Sequence, residues 1–125
     1  MSAILVQNEL LRKLQAMPGR WQIGYPNEAA PNTPRLIVQY GPSNTQREGM
    51  SNITEVTADL AIRAEVDQGS GTVDLNAQLQ KIVDYFPAKL RFNGVVIDDA
   101  PTIGSSFEDG PIMNVPITVT GRGYF

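Results

Sequence analysis

The chain has 125 residues, 42% of them hydrophobic and 18% charged, with a net charge of −3, no histidine and no cysteine. These figures describe one folded domain with a modest core and exclude a disordered chain; they also exclude imidazole and thiolate catalysis, disulfides and ordinary zinc sites. The ten Lys and Arg are spread from Arg12 to Arg122, so no basic stripe is available to a phosphate backbone.

The first residues, M-S-A-I-L-V-Q-N-E-L-L-R-K-L, lack the basic start and unbroken apolar core of a signal peptide, and no run reaches the length of a membrane span. The expectation is a protein made in a cytoplasm. Residues 3 to 17 read as a helix, because Ala3, Val6, Leu10, Leu14 and Met17 recur at helical spacing and Ile4 and Leu11 widen the stripe. Ser2 is placed as its N-cap, and Pro18-Gly19 stops it. Arg20 to Gly24 is a short strand anchored by Trp21 and Ile23. The stretch from Tyr25 to Pro34 then carries three prolines, each of which holds its predecessor out of the helical region, so the segment is extended or turning.

It leads into a strand from Arg35 to Tyr40, with Leu36, Val38 and Tyr40 on one face. Gly41-Pro42 is expected to open a polar loop over residues 43–52. From Thr54 to Asp67 the alternation is almost unbroken: Val56, Ala58, Leu60, Ile62, Ala64 and Val66 point one way, and mostly charged residues the other. Thr72 is placed as the N-cap of a second helix that runs to about Phe86, its core stripe Leu75, Leu79, Ile82, Val83 and Phe86, ended by Pro87. Two short strands, Leu90 to Phe92 and Val95 to Ile97, flank an Asn93-Gly94 hairpin turn. Residues 98–101 and 104–111 read as loops. The last strand, Ile112 to about Gly121, turns Met113, Val115, Ile117 and Val119 inward, and Pro116 suggests that it lies at an edge. The fold class expected is α+β: a mixed, mainly antiparallel sheet of about four to five strands with two helices packed on it, in a single domain over residues 1–125.

Residues that carry chemistry are sparse. Asp98-Asp99, with Glu108-Asp109, offers carboxylates to a hard cation, but adjacent acids in a turn are more often solvated and the spacing fits no EF-hand. Gly69-Ser-Gly-Thr72 before a helix lacks the lysine of a P-loop and the third glycine of a dinucleotide fingerprint, so it reads as an ordinary strand-to-helix connection. No catalytic, cofactor or metal residue is therefore assigned, and the chain is not expected to be an enzyme.

Lengths carry more information. A globule of this size has a diameter of about 36 Å, whereas Thr54 to Val66 spans about 43 Å as a strand at roughly 3.3 Å per residue. Either the strand bends around its core, as a bulge near Ala61 would allow, or another subunit covers part of its inner face. Tyr124 and Phe125 either dock on a neighbour or fold back on their own core.

Tyr25-Pro26-Asn27-Glu28, Gly69 to Phe86 and the closing D-G-P-I-M-N-V-P-I-T-V strand, taken in this order and spacing, resemble the tail terminator-like proteins of long-tailed bacteriophages. The resemblance implies a small α+β virion subunit that forms a hexameric ring on the end of the tail tube, halts tube growth and meets the head connector. Its partners would be copies of itself, the tail tube protein and a neck or head-tail connector protein, and it would be assembled in the host bacterial cytoplasm. A neighbouring neck or tail completion protein, or a monomeric accessory binding module, is the alternative. The expected ring contacts are Tyr25, Pro26, Asn27, Gln46, Arg47, Glu48, Met50, Tyr124 and Phe125.

Overall fold

The computed structural model of the chain describes residues 2–25, 28–47, 53–69 and 73–124, and of residues 2, 46 and 47 the backbone. The fold is α+β, as expected. Helix α1 (Ser2–Gln15) is followed by β1 (Gln22–Gly24), β2 (Arg35–Arg47) and β3 (Thr54–Asp67). Helix α2 (Val73–Tyr85) precedes β4 (Arg91–Phe92), β5 (Val95–Val96), β6 (Thr102–Ile103), β7 (Phe107–Asp109) and β8 (Ile112–Tyr124). The sheet runs β1-β2-β3-β8-β5-β4, with β6 and β7 also paired to β8; every pairing is antiparallel except β1 with β2.

All six inward residues of β3, from Val56 to Val66, are buried. They form one cluster with Val6, Leu10 and Leu14 of α1, Leu75, Leu79 and Ile82 of α2, and Val115, Ile117 and Val119 of β8. Both helices therefore lie on the same face of the sheet. At about 1.5 Å per residue, helices of 14 and 13 residues span roughly 21 and 20 Å. Between them they cover a strand that neither covers alone. The over-long inner face of β3 thus needs no second subunit. Lys13 ties the layer together, its Nζ 4.1 Å from the Tyr85 ring centroid and 5.2 Å from that of Phe92. Gly121 lets α1 approach β8: a Cβ there would stand 2.9 Å from Val95 and 3.1 Å from Leu10.

Four expectations need correction. Strand β2 does not stop at Tyr40, and residues 43–47 are not a loop; they continue the ladder, Thr45 opposite Val56 and Arg47 opposite Thr54. A bulge makes this possible: Tyr40 pairs with Leu60 and Ser43 with Ala58, so Gly41 and Pro42 together face Asp59. The irregularity lies in the partner strand, opposite Asp59, two residues from the place expected near Ala61. Second, residues 98–111 hold β6 and β7, and with β1 and the hairpin they bring the sheet to eight strands. Third, β8 is internal, with β3 on one side and β5, β6 and β7 on the other. Pro116 is tolerated there because the neighbouring strand is broken at its level. Ile103 pairs with Ile117 and Phe107 with Asn114, and between them only Gly104 N–H reaches the Pro116 carbonyl, at 2.8 Å. A strand residue points its N–H and C=O to the same neighbour, so the missing donor faces that gap. Fourth, α1 already includes Ser2 rather than using it as a cap, and ends at Gln15. Thr72 lies outside the described residues. At the Asn93-Gly94 turn both residues take positive φ, 46° and 82°, as a two-residue hairpin requires.

The bulge is closed by a side chain from α1. Gln7 is buried, and its Nε2 donates to the carbonyls of Gly41 and Asp59, each at 3.0 Å. Replacing it by leucine keeps the volume but orphans both acceptors. Gln7→Leu is expected to lower unfolding stability by about 2–3 kcal/mol in urea denaturation; a loss below about 0.5 kcal/mol would mean that the carbonyls find other donors.

Candidate assembly surfaces

The longest accessible edge of the sheet belongs to β2. Strand β1 pairs with Arg35, Leu36 and Ile37 and then departs; among the described residues no strand flanks Val38 to Arg47 on that side. Where the chain leaves, it is pinned: Glu28 N–H donates to the Tyr25 carbonyl at 3.3 Å, and Arg35 Nη1 to the Pro31 carbonyl at 2.9 Å. Beside the open edge lies an apolar groove of about 400 Å³ between α1 and β2, lined by Leu11, Tyr25, Val38, Gln39 and Tyr40. Both tyrosines anchor their hydroxyls to α1. Gln15 Nε2 donates to the Tyr25 hydroxyl at 2.8 Å, and the Tyr40 hydroxyl donates to Asn8 Oδ1. Past the bulge, Ser43, Asn44 and Thr45 are exposed.

A second group gathers at that end of the sheet. Gln46 and Tyr124 stand on either side of Glu55 in three-strand register, with Arg47 one pair beyond. Arg122 organises it: its Nη2 meets Asp98 Oδ1 at 2.9 Å, its Nη1 donates to the Tyr124 hydroxyl at 2.7 Å, and its guanidinium lies 5.3 Å from the Tyr124 ring centroid. Asp98, weighed above as a cation ligand, is thus held in an ion pair. Among the described residues no three acidic side chains come together as a metal would need. On the same outer face Glu65 is buried and takes Arg35 Nε at 2.6 Å and Arg63 Nε at 3.4 Å.

Of the expected contact residues, the structure brings Gln46, Arg47 and Tyr124 together and sets Tyr25 apart, in the groove. Tyr124 is 47% exposed and does not fold into the core. Pro26, Asn27, Glu48, Met50 and Phe125, and the side chains of Gln46 and Arg47, lie outside the described residues. Sequence reasoning missed Leu11, Tyr40 and Arg122, whose groove neighbours or ion-pair partner are distant in the chain. It also missed a polar cavity of about 270 Å³ below the N-terminal turn of α2, walled by Trp21, Thr33, Asp67, Asp74, Gln78 and Lys81.

Burial in the groove raises the Tyr40 hydroxyl above its ordinary value of 10.0. Its contribution to stability is present below pH 10 and is lost as pH rises through the raised value, because the unfolded chain ionises first. Tyr40→Phe is expected to flatten the alkaline fall in melting temperature while lowering stability slightly near neutrality. An unchanged alkaline limb would mean that Tyr40 does not cause the fall.

No family model matches this chain, and no curated protein does. A solved structure of a protein whose name states no function is similar to it, with a TM-score of 0.62 and 14% identity over 99% of this chain and 92% of that one. At that identity the likeness establishes a shared fold across nearly the whole of both chains, and nothing further.

Proposed function

We propose that the protein is a structural component of a long-tailed phage virion. In this reading it assembles as a ring, of six subunits by the resemblance in its sequence, which caps the tail tube, terminates tail polymerisation and presents a surface to the head connector. The observation that carries the reading is the open edge of β2. Unpaired strand backbone is a template for another chain, and native proteins cover or charge such edges unless they use them. Here the edge borders an apolar groove, while the opposite side of the sheet ends in short strands with Ile103 and Phe107 each 45% exposed. Two unlike edges on one subunit suit a head-to-tail contact, which closes into a ring when the rotation per subunit allows it. Such a subunit works through its surfaces and needs no active site. Its partners are copies of itself, the tube protein and a neck protein, and its place is the virion.

One observation favours a second reading, a monomeric accessory module: a single chain buries the whole inner face of β3. Light scattering over a concentration series separates the two. The ring reading expects a hexamer, or a monomer that becomes one on concentration, with assembly weakened when Arg47→Glu or deletion of residues 44–48 alters the hairpin end. Phage carrying either change should make over-long tails or tails that fail to join heads. Tails of normal length that join heads normally, from a variant shown to fold, would overturn the proposal.

A further inference from the structure

The turn between β4 and β5 combines a reactive dipeptide with a tether from α1. Asn93 is the one asparagine in the chain that glycine follows. Both turn residues are exposed, and nothing stands within 4 Å of where a Gly94 Cβ would be, so no side chain shields the nitrogen of Gly94. In a two-residue hairpin the ladder hydrogen bonds belong to the flanking pair, here Phe92 and Val95, which leaves the Gly94 N–H outside them. A bond from that nitrogen to the side-chain carbonyl carbon of Asn93 closes a five-membered ring.

The folded turn holds these two atoms apart. Its φ values of 46° and 82° belong to the mirror-image turn, in which the Asn93 side chain and the Gly94 nitrogen lie on opposite sides of the Asn93 main chain. The ring therefore closes only from an opened turn. Little backbone resists opening, since β4 and β5 share two residue pairs. The further restraint comes from the helix: Asn93 Nδ2 donates to Glu9 Oε2 at 3.0 Å. A carboxylate only accepts, which fixes the orientation of the amide. Glu9 is itself steadied by Arg12, whose Nη1 meets its Oε1 at 2.5 Å.

We propose that Asn93-Gly94 is a site of spontaneous covalent modification, and that the Glu9 tether sets its rate by opposing the opening of the turn. The Gly94 nitrogen gives its proton to water or hydroxide and bonds to Asn93 Cγ, the Cγ–Nδ2 bond breaks, and ammonia leaves. Water then opens the cyclic imide. Attack at Cγ gives aspartate, and attack at the main-chain carbonyl gives isoaspartate, in which the chain runs through Cγ. Nothing is oxidised or reduced, and the amide becomes a carboxylate. That carboxylate faces Glu9, so the helix contact changes from a hydrogen bond to a like-charge pair. The new charge also enters the wall of a groove of about 370 Å³ that the hairpin shares with Tyr124. The chemistry belongs to the isolated subunit and does not depend on ring formation.

The full-length protein is incubated in warm, mildly alkaline buffer, and samples are digested with trypsin and read by mass spectrometry. The peptide from Phe92 to Arg122 carries Asn93 together with Asn114, which is buried and serves as an internal control. Asn93 is expected to convert from amide to acid in two chromatographically separate forms, aspartate and isoaspartate, while Asn114 stays unchanged. Glu9→Ala should convert about twofold to fivefold faster, the factor that an exposed hydrogen bond to a carboxylate is worth. Glu9→Gln, which keeps an acceptor, should convert at the original rate. Circular dichroism checks that each variant folds; should Glu9→Ala fail, Glu9→Asp, which draws the carboxylate back by one carbon, carries the comparison. No conversion at Asn93, conversion to ordinary aspartate alone, or equal rates with and without the Glu9 acceptor would each overturn the proposal.

Discussion

The amide of Gln7 holds the one irregularity on which the sheet's shape depends. A bulge lets β2 continue for 13 residues instead of ending at Tyr40, and at that bulge Gln7 donates to the carbonyls of both strands, Gly41 and Asp59. A buried side chain from the overlying helix thus spans the irregularity. The same contact fixes α1 along the sheet, and with α1 in place Leu11 comes to face Tyr25 and Tyr40 across the groove. The bulge, the helix position and the groove are thus parts of one arrangement.

The two faces of the sheet are held by different forces. The inner face is apolar and dry, and its stability scales with area removed from water. Among the described residues no helix covers the outer face; there Glu65 with Arg35 and Arg63, and Asp98 with Arg122 and Tyr124, make local charge-assisted contacts. The second group secures the end of β8 close to the hairpin end. A sheet built this way is held mainly on its covered face and leaves the outer edge of β2 beyond Ile37 without a strand neighbour among the described residues.

The legible parts of the fold were those with a strong local period. Strand β3 alternates along its whole length, and both helices keep an apolar stripe, so their existence and their buried faces followed from spacing alone, while the pairing of β3 with β2 and β8 did not. The continuation of β2 was hidden because Gly41-Pro42 has the chemistry of a turn, and only a glutamine 34 positions away makes it a bulge. Strands β6 and β7 have two and three residues and little apolar content; they exist because β8 offers an edge, not because their own sequence favours a strand. Pro116 was misplaced for a related reason, since the gap it faces is made by other segments. Of the site, the exposure of Tyr124 was half anticipated. The groove and the cavity were not, because Tyr25 meets Tyr40, and Trp21 meets Gln78, only once helix and sheet have packed.

The position of β8 bears on how the chain reaches this structure. Strand β3 pairs on one side with β2, which precedes it closely, and on the other with β8, whose residues follow only after α2 and four short strands. In a chain emerging from the ribosome, the β2–β3 hairpin and α1 can associate early, while the second edge of β3 waits. During that interval it is an uncovered, apolar strand edge, the kind of surface on which nascent chains misassociate. Closing the sheet demands one long non-local pairing, of the kind whose loop-closure entropy slows folding. The outward row of β3, with Glu55, Asp59, Arg63 and Glu65 interspersed, keeps charge on that edge until β8 arrives.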